Sequence, residues 1–330
     1  MQYRKLGNTG ASLSAIGLGC MGMSFAYGNA QDFNEQESLA TLELALDLGI
    51  NFWDTADMYG QGANEILLSK ILATKRDKVF LATKFGFRYN EDNTTYFDGS
   101  PRYVKLACEA SLKRLKVDVI DLYYTHRIDD KIPVEETVGA MAELVKEGKV
   151  RYLGLSEASA ISLKKASTVH PIAALQSEYS LFTRDVEGEI LQTARELGVS
   201  LIAYSPLGRG LSTGAIKDAA TLSDGDFRKN LPRFQGSNFE QNVQTATALE
   251  NFAGEKGITA AQLSLAWLLA QGEDIIPIPG TKRRKYLQEN AAAADVQLTQ
   301  ADLEEIQRIL KTYAIAGPRY TEGGMKLVNR

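Results

Sequence analysis

In three segments of the sequence, an apolar run is followed by side chains that can donate or accept a proton. Asp54 and Tyr59 lie in NFWDTADMYG (51–60), Lys84 ends VFLATK, and His126 ends VIDLYYTH. Apolar runs of this kind are typical of buried strands, and a buried carboxylate or ammonium is costly unless it is paired. A pair between Lys84 and Asp54 would remove both costs. We therefore expect the four side chains to converge rather than to act as separate solvated residues.

The chemistry that suits this set is proton donation to a carbonyl oxygen. A phenol has a pKa of about 10 and is a weak acid at neutral pH. An ammonium about 4 Å from Tyr59 would favour phenolate by roughly 4 kcal/mol, or about three pKa units, at an effective dielectric of about 20. Asp54 would hold Lys84, and His126 would donate to the substrate oxygen. No nucleophile is obvious, so the reaction needs a separate electron source.

Each residue also has a structural interpretation. Asp57 lies one step into the loop, where a solvated or capping role is preferred, and His126 alone would be a structural histidine. The chain has only two histidines, and Cys20 and Cys108 show neither metal-ligand nor disulfide spacing. A metal site is therefore not expected.

The elements that must position these residues alternate between strands and helices. A hairpin (QYRKL, NTG, SLSAIGLG) comes first. Asn34 with Glu37 predicts a capping box, and Pro101 and Pro133 predict helix starts. Eight apolar runs predict parallel strands covered on both faces: SAIGLG, NFWDTA, VFLATK, VIDLYYTH, VRYLGLS, AALQSEY, SLIAYSP and IIPIPG. The pattern predicts an α/β fold, one (β/α)₈ TIM barrel over residues 1–330 as a single domain, with a doubly wound sheet as the alternative.

Long polar stretches at 86–100, 208–239 and 311–330 interrupt the alternation. In a barrel the first two follow strands and so lie on the rim that carries active sites. GLGCMG (17–22) spells G-x-G-x-x-G, but no helix opens within that loop. A tight rim turn is therefore preferred to a dinucleotide fingerprint.

The composition limits the class of protein. The 330 residues are 44% hydrophobic and 24% charged, and the net charge of -4 is spread along the chain. This argues against nucleic acid or an anionic membrane as the main partner. No apolar run approaches the roughly 20 residues of a membrane span, and the first ten residues are no signal peptide. A soluble, cytoplasmic protein is expected.

In combination, DTADMYG, ATKFG and LYYTHRID resemble the catalytic motifs of the aldo-keto reductases. The resemblance covers nearly the whole chain. GLGCMGMS, GLSEAS, LQSEYSLFTRD, YSPLGRGLSTG and PIPGTKRR are similar to the branch that holds perakine reductase and pyridoxal reductase. The resemblance to this family implies a barrel that transfers hydride from NADPH to an aldehyde or ketone. In that role Tyr59 is the general acid, Lys84 and Asp54 tune it, and His126 orients the carbonyl.

The resemblance also implies where the cofactor lies. Ser156, Glu157 and Gln176 would bind the nicotinamide carboxamide, Tyr204 would stack on its ring, and the turn after Tyr204 would hold the pyrophosphate. Glu289 and Asn290 would hold the adenine. The remaining predicted cofactor contacts are Gly19, Cys20, Met21, Ser205, Pro206, Leu207, Gly208, Gly210, Leu211, Gly280, Thr281, Lys282 and Arg283.

Four cations, Lys282 to Lys285, stand where a helix should begin. The positive end of a helix dipole makes this arrangement unfavourable unless an anion binds or solvent screens the charges. The 2′-phosphate of NADPH is the natural anion, so NADPH is preferred to NADH. The sequence leaves open which of Lys282, Arg283 and Arg284 holds it, and a solvated basic turn is the alternative.

The substrate is a small carbonyl compound whose identity the sequence leaves open, as it does the oligomeric state. Two other functions remain. One is an aldolase that forms a Schiff base on Lys84. The other is an NADPH-binding, redox-sensing subunit of a partner protein. The candidates for an apolar substrate pocket are Met23, Phe25, Tyr27, Trp53, Met58, Phe87 and Tyr89.

Overall fold

A computed structural model describes residues 1–27, 33–90 and 94–329. Its strands are β1 (Tyr3–Lys5), β2 (Ser12–Ser14), β3 (Leu18–Gly19), β4 (Phe52–Asp54), β5 (Phe80–Phe85), β6 (Phe87–Tyr89), β7 (Thr95–Phe97), β8 (Ile120–Thr125), β9 (Val150–Ser156), β10 (Ile172–Glu178), β11 (Ser200–Tyr204) and β12 (Ile275–Pro277). Its α-helices are α1 (Glu35–Asp47), α2 (Ala63–Lys75), α3 (Pro101–Leu115), α4 (Val134–Lys146), α5 (Ala160–Val169), α6 (Glu189–Glu196), α7 (Gly236–Glu255), α8 (Ala260–Leu269), α9 (Arg284–Ala292), α10 (Gln300–Thr312) and α11 (Glu322–Met325).

Eight parallel strands form a barrel in the order β3-β4-β5-β8-β9-β10-β11-β12. The first and last segments meet, because the Gly17 N–H donates to Pro277 O at 2.9 Å and the Gly19 N–H donates to Pro279 O at 3.2 Å. Helices follow the strands, from α1 after β3 to α9 after β12. The predicted (β/α)₈ barrel is confirmed, and the doubly wound alternative is wrong.

Glycines of GLGCMG make this closure possible. A β-carbon on Gly17 would lie 2.7 Å from the Phe52 ring, and one on Gly19 would lie 2.9 Å from Ile278 O. Glycine permits this close approach of backbones. The segment is therefore the end of the predicted strand SAIGLG followed by a 3₁₀ turn at Met21–Met23 on the rim.

The N-terminal hairpin is confirmed and covers one end of the barrel. β1 pairs with β2 in antiparallel register, Tyr3 opposite Ser14. Leu6 and Leu13 on either side of the turn are fully buried in one cluster with barrel-interior residues such as Ile276. This apolar plug lies at the strand ends opposite to Asp54, which leaves the carboxyl ends free for polar groups.

Helix starts follow the sequence signals with one exception. Ser100 caps α3 with Pro101 in its first turn, and α4 begins after Pro133. At α1 the Asn34 side chain accepts the Glu37 N–H at 2.9 Å. The Glu37 carboxylate, however, accepts a hydrogen bond from Arg284, and within the described residues α1 has no complete capping box. None of the helices within residues 1–27, 33–90 and 94–329 is both long and apolar enough for a membrane span.

Two of the long polar stretches lie at the carboxyl ends of the strands. Residues 86–100 contain the hairpin β6–β7, and residues 208–235 wind through short 3₁₀ helices before α7. The third stretch begins in the last turn of α10, and residues 313–329 are irregular apart from α11.

Candidate active site

Asp54 and Lys84 form a buried ion pair at the carboxyl ends of β4 and β5. The Lys84 Nζ donates to Asp54 Oδ1 at 2.5 Å and to Thr55 O at 2.7 Å. Gln176 at β10 donates to the second oxygen, Asp54 Oδ2, at 2.8 Å. Burial acts to lower the pKa of Lys84, but Asp54 and Tyr59 together more than offset it, so the pKa lies above its ordinary value. Lys84 is thus held in its charged form.

Tyr59 lies beside this pair. Its hydroxyl accepts a hydrogen bond from Lys84 Nζ at 3.4 Å, and its side chain is almost fully buried. Burial raises the pKa of Tyr59 above 10, although Lys84 and Arg127 act to lower it. The expected net fall in this pKa is therefore wrong. The physical reason is that burial penalises phenolate more than Lys84 favours it, and the Asp54 carboxylate opposes part of the Lys84 effect.

His126 faces Tyr59 across the same rim. Its backbone N–H donates to Phe85 O at 2.9 Å, and its ring stands edge-on to the Tyr59 ring with centroids 5.9 Å apart. Burial first, and then the charges of Lys84 and Arg127, hold the pKa of His126 well below 6.5. The ring is therefore neutral, with one N–H to donate, and its buried Nδ1 has no hydrogen-bond partner among the described residues.

Asp57 is less solvated than its loop position suggests, and the capping role remains a prediction. Its backbone N–H donates to Lys84 O at 3.0 Å, and its Oδ1 is shielded without a hydrogen-bond partner in the described part of the chain. Burial, with a smaller contribution from Glu65, raises the pKa of Asp57 to about 8. Asp57 as a whole is partly exposed, with one shielded oxygen.

The predicted nicotinamide contacts lie at the carboxyl ends of β9 and β10, but their side chains are already engaged. Gln176 binds Asp54, as described above, and Ser156 Oγ lies 3.5 Å from Arg127 Nη1. The Glu157 carboxylate accepts two hydrogen bonds from Arg319, at 2.8 and 2.6 Å, and one from the Glu178 N–H at 3.0 Å. These residues therefore lie on one rim, within a network that the sequence did not indicate.

Tyr204 ends β11, and its hydroxyl lies 2.8 Å from the Tyr320 hydroxyl. The turn that follows is tight, since Ser205, Gly208 and Gly210 have φ values of +46°, +55° and +97°. Pro206, Leu207 and Leu211 complete it. The Gly208 and Gly210 N–H groups donate within the turn, to Ser205 O and Leu207 O. Gly208, Arg209 and Gly210 are consecutive left-handed residues, and turns of this kind form a concave backbone that suits anions.

The segments that follow β3 and β12, where the barrel closes, bring the other predicted cofactor contacts together. Gly19 and Gly280 form a parallel bridge, Cys20 N–H donates to Asp54 O at 2.9 Å, and Met21 begins the following 3₁₀ turn. Thr281 is buried, and its Oγ1 accepts the Arg283 N–H. Glu289 and Asn290 lie on α9, where Asn290 is buried.

The basic cluster borders a cleft of about 370 Å³ lined by Asn34, Glu37, Lys282, Arg283 and Lys285. Its cations have different surroundings. Glu37 accepts the backbone N–H of Arg284 at 3.1 Å and its guanidinium at 2.9 Å, so this carboxylate already supplies an anion at the start of α9. Lys282 Nζ donates to Tyr27 O, and Arg283 is exposed at the cleft.

Three residues near the site were missed from the sequence. Arg127 follows His126 directly, is buried, and has no carboxylate within ion-pairing distance in residues 1–27, 33–90 and 94–329. Its proximity to His126 in THRID was the available signal. Arg319 and Tyr320 come from the C-terminal polar stretch, where no motif indicated them.

The chain belongs to the aldo/keto reductase family, whose family model matches residues 15–311. It is 45% identical over 326 residues to "Probable aldo-keto reductase 1" of Glycine max, covering 98% of this chain and 93% of that protein. It is 44% identical over 326 residues to the aldo-keto reductase yakc of Schizosaccharomyces pombe, covering 97% and 94%, and the name of that protein specifies NADP(+).

Solved structures share the fold. The glycerol dehydrogenase of Gluconobacter oxydans superposes with a TM-score of 0.86 at 30% identity, covering 96% of this chain and 97% of that chain. An aldo-keto reductase of Bacillus halodurans in its holo form superposes with a TM-score of 0.78 at 28% identity, covering 96% and 98%.

Proposed function

We propose that this protein reduces aldehydes or ketones to alcohols with NADPH, with Tyr59 as the general acid. The observation that carries the proposal is the contact of Lys84 with both Asp54 and the Tyr59 hydroxyl, opposite a neutral His126. Four groups of different sequence origin thereby form one proton-donating site. We assign the chain to the perakine and pyridoxal reductase branch on its motifs alone.

Each side chain has a separate task. The neutral His126 donates a hydrogen bond to the carbonyl oxygen and holds it near the Tyr59 hydroxyl. Tyr59 remains protonated at neutral pH because of its raised pKa, so the proton is available when negative charge develops on that oxygen. The Lys84 ammonium, fixed by Asp54, then stabilises the phenolate that remains. Tyr59 therefore does not need a lowered pKa to donate its proton when the carbonyl compound is reduced.

The residues present suit NADPH, which supplies the hydride. The concave turn after Tyr204 would take the pyrophosphate, and the Tyr204 ring would support the nicotinamide. The cleft beside α9 offers Arg283 and Lys282 to the 2′-phosphate, whereas Arg284 is held by Glu37. Glu289 and Asn290 follow on the same helix and would border the adenine.

The experiment that tests the proposal is Tyr59→Phe, assayed with NADPH and a panel of simple aldehydes. The ring keeps its packing against Phe25 and His126, and only the proton donor is lost. We expect turnover to fall by at least about a thousandfold, or roughly 4 kcal/mol in the barrier, while NADPH affinity measured by fluorescence stays nearly unchanged. Activity within about tenfold of the wild type would show that Tyr59 is not the acid.

A Schiff-base aldolase fits this geometry less well. Lys84 is charged and makes hydrogen bonds to Asp54, Thr55 and Tyr59, whereas a nucleophilic amine must be neutral. Borohydride added with an aldehyde should therefore leave Lys84 unmodified. Covalent labelling of Lys84 would favour the aldolase instead.

A further inference from the structure

The C-terminal segment, residues 313–329, crosses the rim beside the predicted cofactor contacts. Near its start it is tied to α7, where Asn242 donates to Ala316 O and accepts the Ala316 N–H, both at 2.9 Å. Near its end the Asn329 N–H donates to Glu157 O at 3.2 Å, and Asn329 Oδ1 accepts the Ser159 N–H at 2.9 Å. The segment thus connects α7 with the loop after β9.

Arg319, in the middle of this segment, makes its contacts with the ends of β9 and β11. It is 4% exposed, and its two terminal nitrogens bind both oxygens of Glu157 at 2.8 and 2.6 Å. The same guanidinium lies 3.7 Å from Glu178 and 3.3 Å from Asp185, and donates to the Tyr204 hydroxyl at 3.3 Å. A bidentate arginine–carboxylate contact fixes direction as well as distance. Arg319 therefore orients Glu157 and Tyr204 together.

The backbone supports this interpretation. Glu157 has a φ of +55°, a region that a non-glycine residue occupies only when its surroundings hold it there. The Glu157 N–H, which donates to Gln176 O at 2.9 Å, and the contact with Arg319 together provide that hold. Burial alone would raise the pKa of Glu157, but the Arg319 hydrogen bonds and charge lower it to about 2. The carboxylate is therefore fully charged at neutral pH and stays on Arg319.

Tyr320 adds a second contact from the same segment. Its hydroxyl lies 2.8 Å from that of Tyr204, and its ring packs under the Arg209 guanidinium at 4.6 Å. Arg209 in turn pairs with Glu178 at 2.5 Å. The ends of β9, β10 and β11 are thus joined through residues that follow the last long helix of the chain.

We propose that Arg319 is a positioning residue for the cofactor, through which the C-terminal segment holds Glu157 and Tyr204 in the arrangement that receives the nicotinamide half. The inference rests on the proposed function, because it takes Glu157 and Tyr204 as nicotinamide contacts. Arg319 acts through these two residues. The adenosine half, beside α9, does not depend on it.

The test compares two ligands that share the adenosine half. The dissociation constants of NADPH and of 2′,5′-ADP, which lacks the nicotinamide, are measured by fluorescence and calorimetry for the wild type and for Arg319→Met. We expect NADPH to bind about tenfold to a hundredfold more weakly and 2′,5′-ADP to change by less than about twofold. Equal losses for both ligands, or no loss for either, would overturn the proposal.

Three further variants isolate the contact. Arg319→Lys keeps the charge but loses the bidentate geometry, so it should recover only part of the NADPH affinity. Arg319→Met combined with Glu157→Gln should bind NADPH no worse than Arg319→Met alone, because both act through one contact. Fully additive losses would contradict this. Arg308→Met is the control, since it removes an exposed arginine paired with Glu305 on α10 and should leave both affinities unchanged.

Failure of this proposal can be told apart from failure of the proposed function. If Tyr59→Phe is inactive while Arg319→Met binds both ligands normally, the reductase assignment stands and Arg319 has no positioning role. If Tyr59→Phe retains turnover, the general-acid assignment fails whatever the binding data show.

Discussion

Replacing Lys84 by methionine isolates the energetic role of the buried ion pair. Methionine approximates the length and apolar stem of lysine, so the main loss is the ammonium. Asp54 is only 3% exposed and would keep Gln176 as its remaining side-chain donor. A buried carboxylate then lacks its counterion. The variant should be inactive, because the group that stabilises the Tyr59 phenolate is gone.

The size of the stability loss follows from this geometry. Breaking a buried pair by removing one partner typically costs about 3–5 kcal/mol. For 330 residues, an unfolding entropy of about 2.1 cal/mol/K per residue gives roughly 0.7 kcal/mol/K. The expected fall in Tm is therefore about 4–7 °C at neutral pH.

The loss should depend on pH, with a defined sign. Burial raises the pKa of Asp54, and in the variant the opposing Lys84 charge is absent. A carboxyl whose folded pKa exceeds its unfolded value of about 3.9 favours folding when protonated, and that advantage is lost as pH rises. Between the two pKa values the slope approaches about 1.4 kcal/mol per pH unit. Lys84→Met should therefore lie closer to the wild type at pH 5 than at pH 8.

The assay is thermal unfolding of the wild type, of Lys84→Met, and of Lys84→Met combined with Asp54→Asn, at pH 5, 7 and 8. The double variant has no buried carboxylate at this position, so it should be more stable than the single variant at pH 8 and should lose the pH dependence. A double variant no more stable than the single one, or a gap that is the same at every pH, would refute the ion-pair argument.

Two further predictions concern the chemistry and the cofactor. Because the pKa of Tyr59 is raised above 10 and that of His126 is held well below 6.5, the aldehyde reduction rate should stay level between about pH 6.5 and pH 9. Alcohol oxidation, which needs the phenolate, should rise with pH over the same range, and parallel profiles for the two directions would contradict this assignment. Arg283→Ala should weaken NADPH about tenfold or more and NADH hardly at all, since one lost charge-assisted hydrogen bond is worth about 1.5–3 kcal/mol. Arg284→Ala is the matched control, because its guanidinium is held by Glu37, and equal losses from the two variants would remove Arg283 from the phosphate site.

The barrel was predictable because its signals are local and repeat. Each strand is a short apolar run: VRYLGLS coincides with β9, and SLIAYSP contains the whole of β11. The polar residues at strand ends were informative for the same reason. Parallel strands bring their carboxyl ends to one rim, so Asp54 and Lys84 had to be neighbours once the sheet was known.

The pKa of Tyr59 was predicted with the wrong sign because it depends on a balance that the sequence does not contain. The ammonium was placed correctly, about 3.4 Å from the hydroxyl. The extent of burial, however, is set by Phe25 and His126 packing around the ring, and by the depth of the whole rim. Proximity can be argued from strand order, whereas desolvation requires the complete fold.

The contacts least accessible to sequence reasoning are those between charged residues far apart in the chain. Glu157 and Arg319 are 162 positions apart, and Glu37 and Arg284 are 247 apart. In sequence, Arg319 stands in a polar stretch without periodicity, and Glu37 looks like the second half of a capping box. Glu157 is itself a predicted cofactor contact and Glu37 lines the cleft with Lys282 and Arg283, and each is paired with an arginine from a later part of the chain. The charges of residues near the predicted cofactor contacts are thus partly compensated by other residues of the chain. A cluster of cations at a helix start therefore does not by itself show how many of them bind the ligand, and the separate variants of Arg283 and Arg284 are needed to count them.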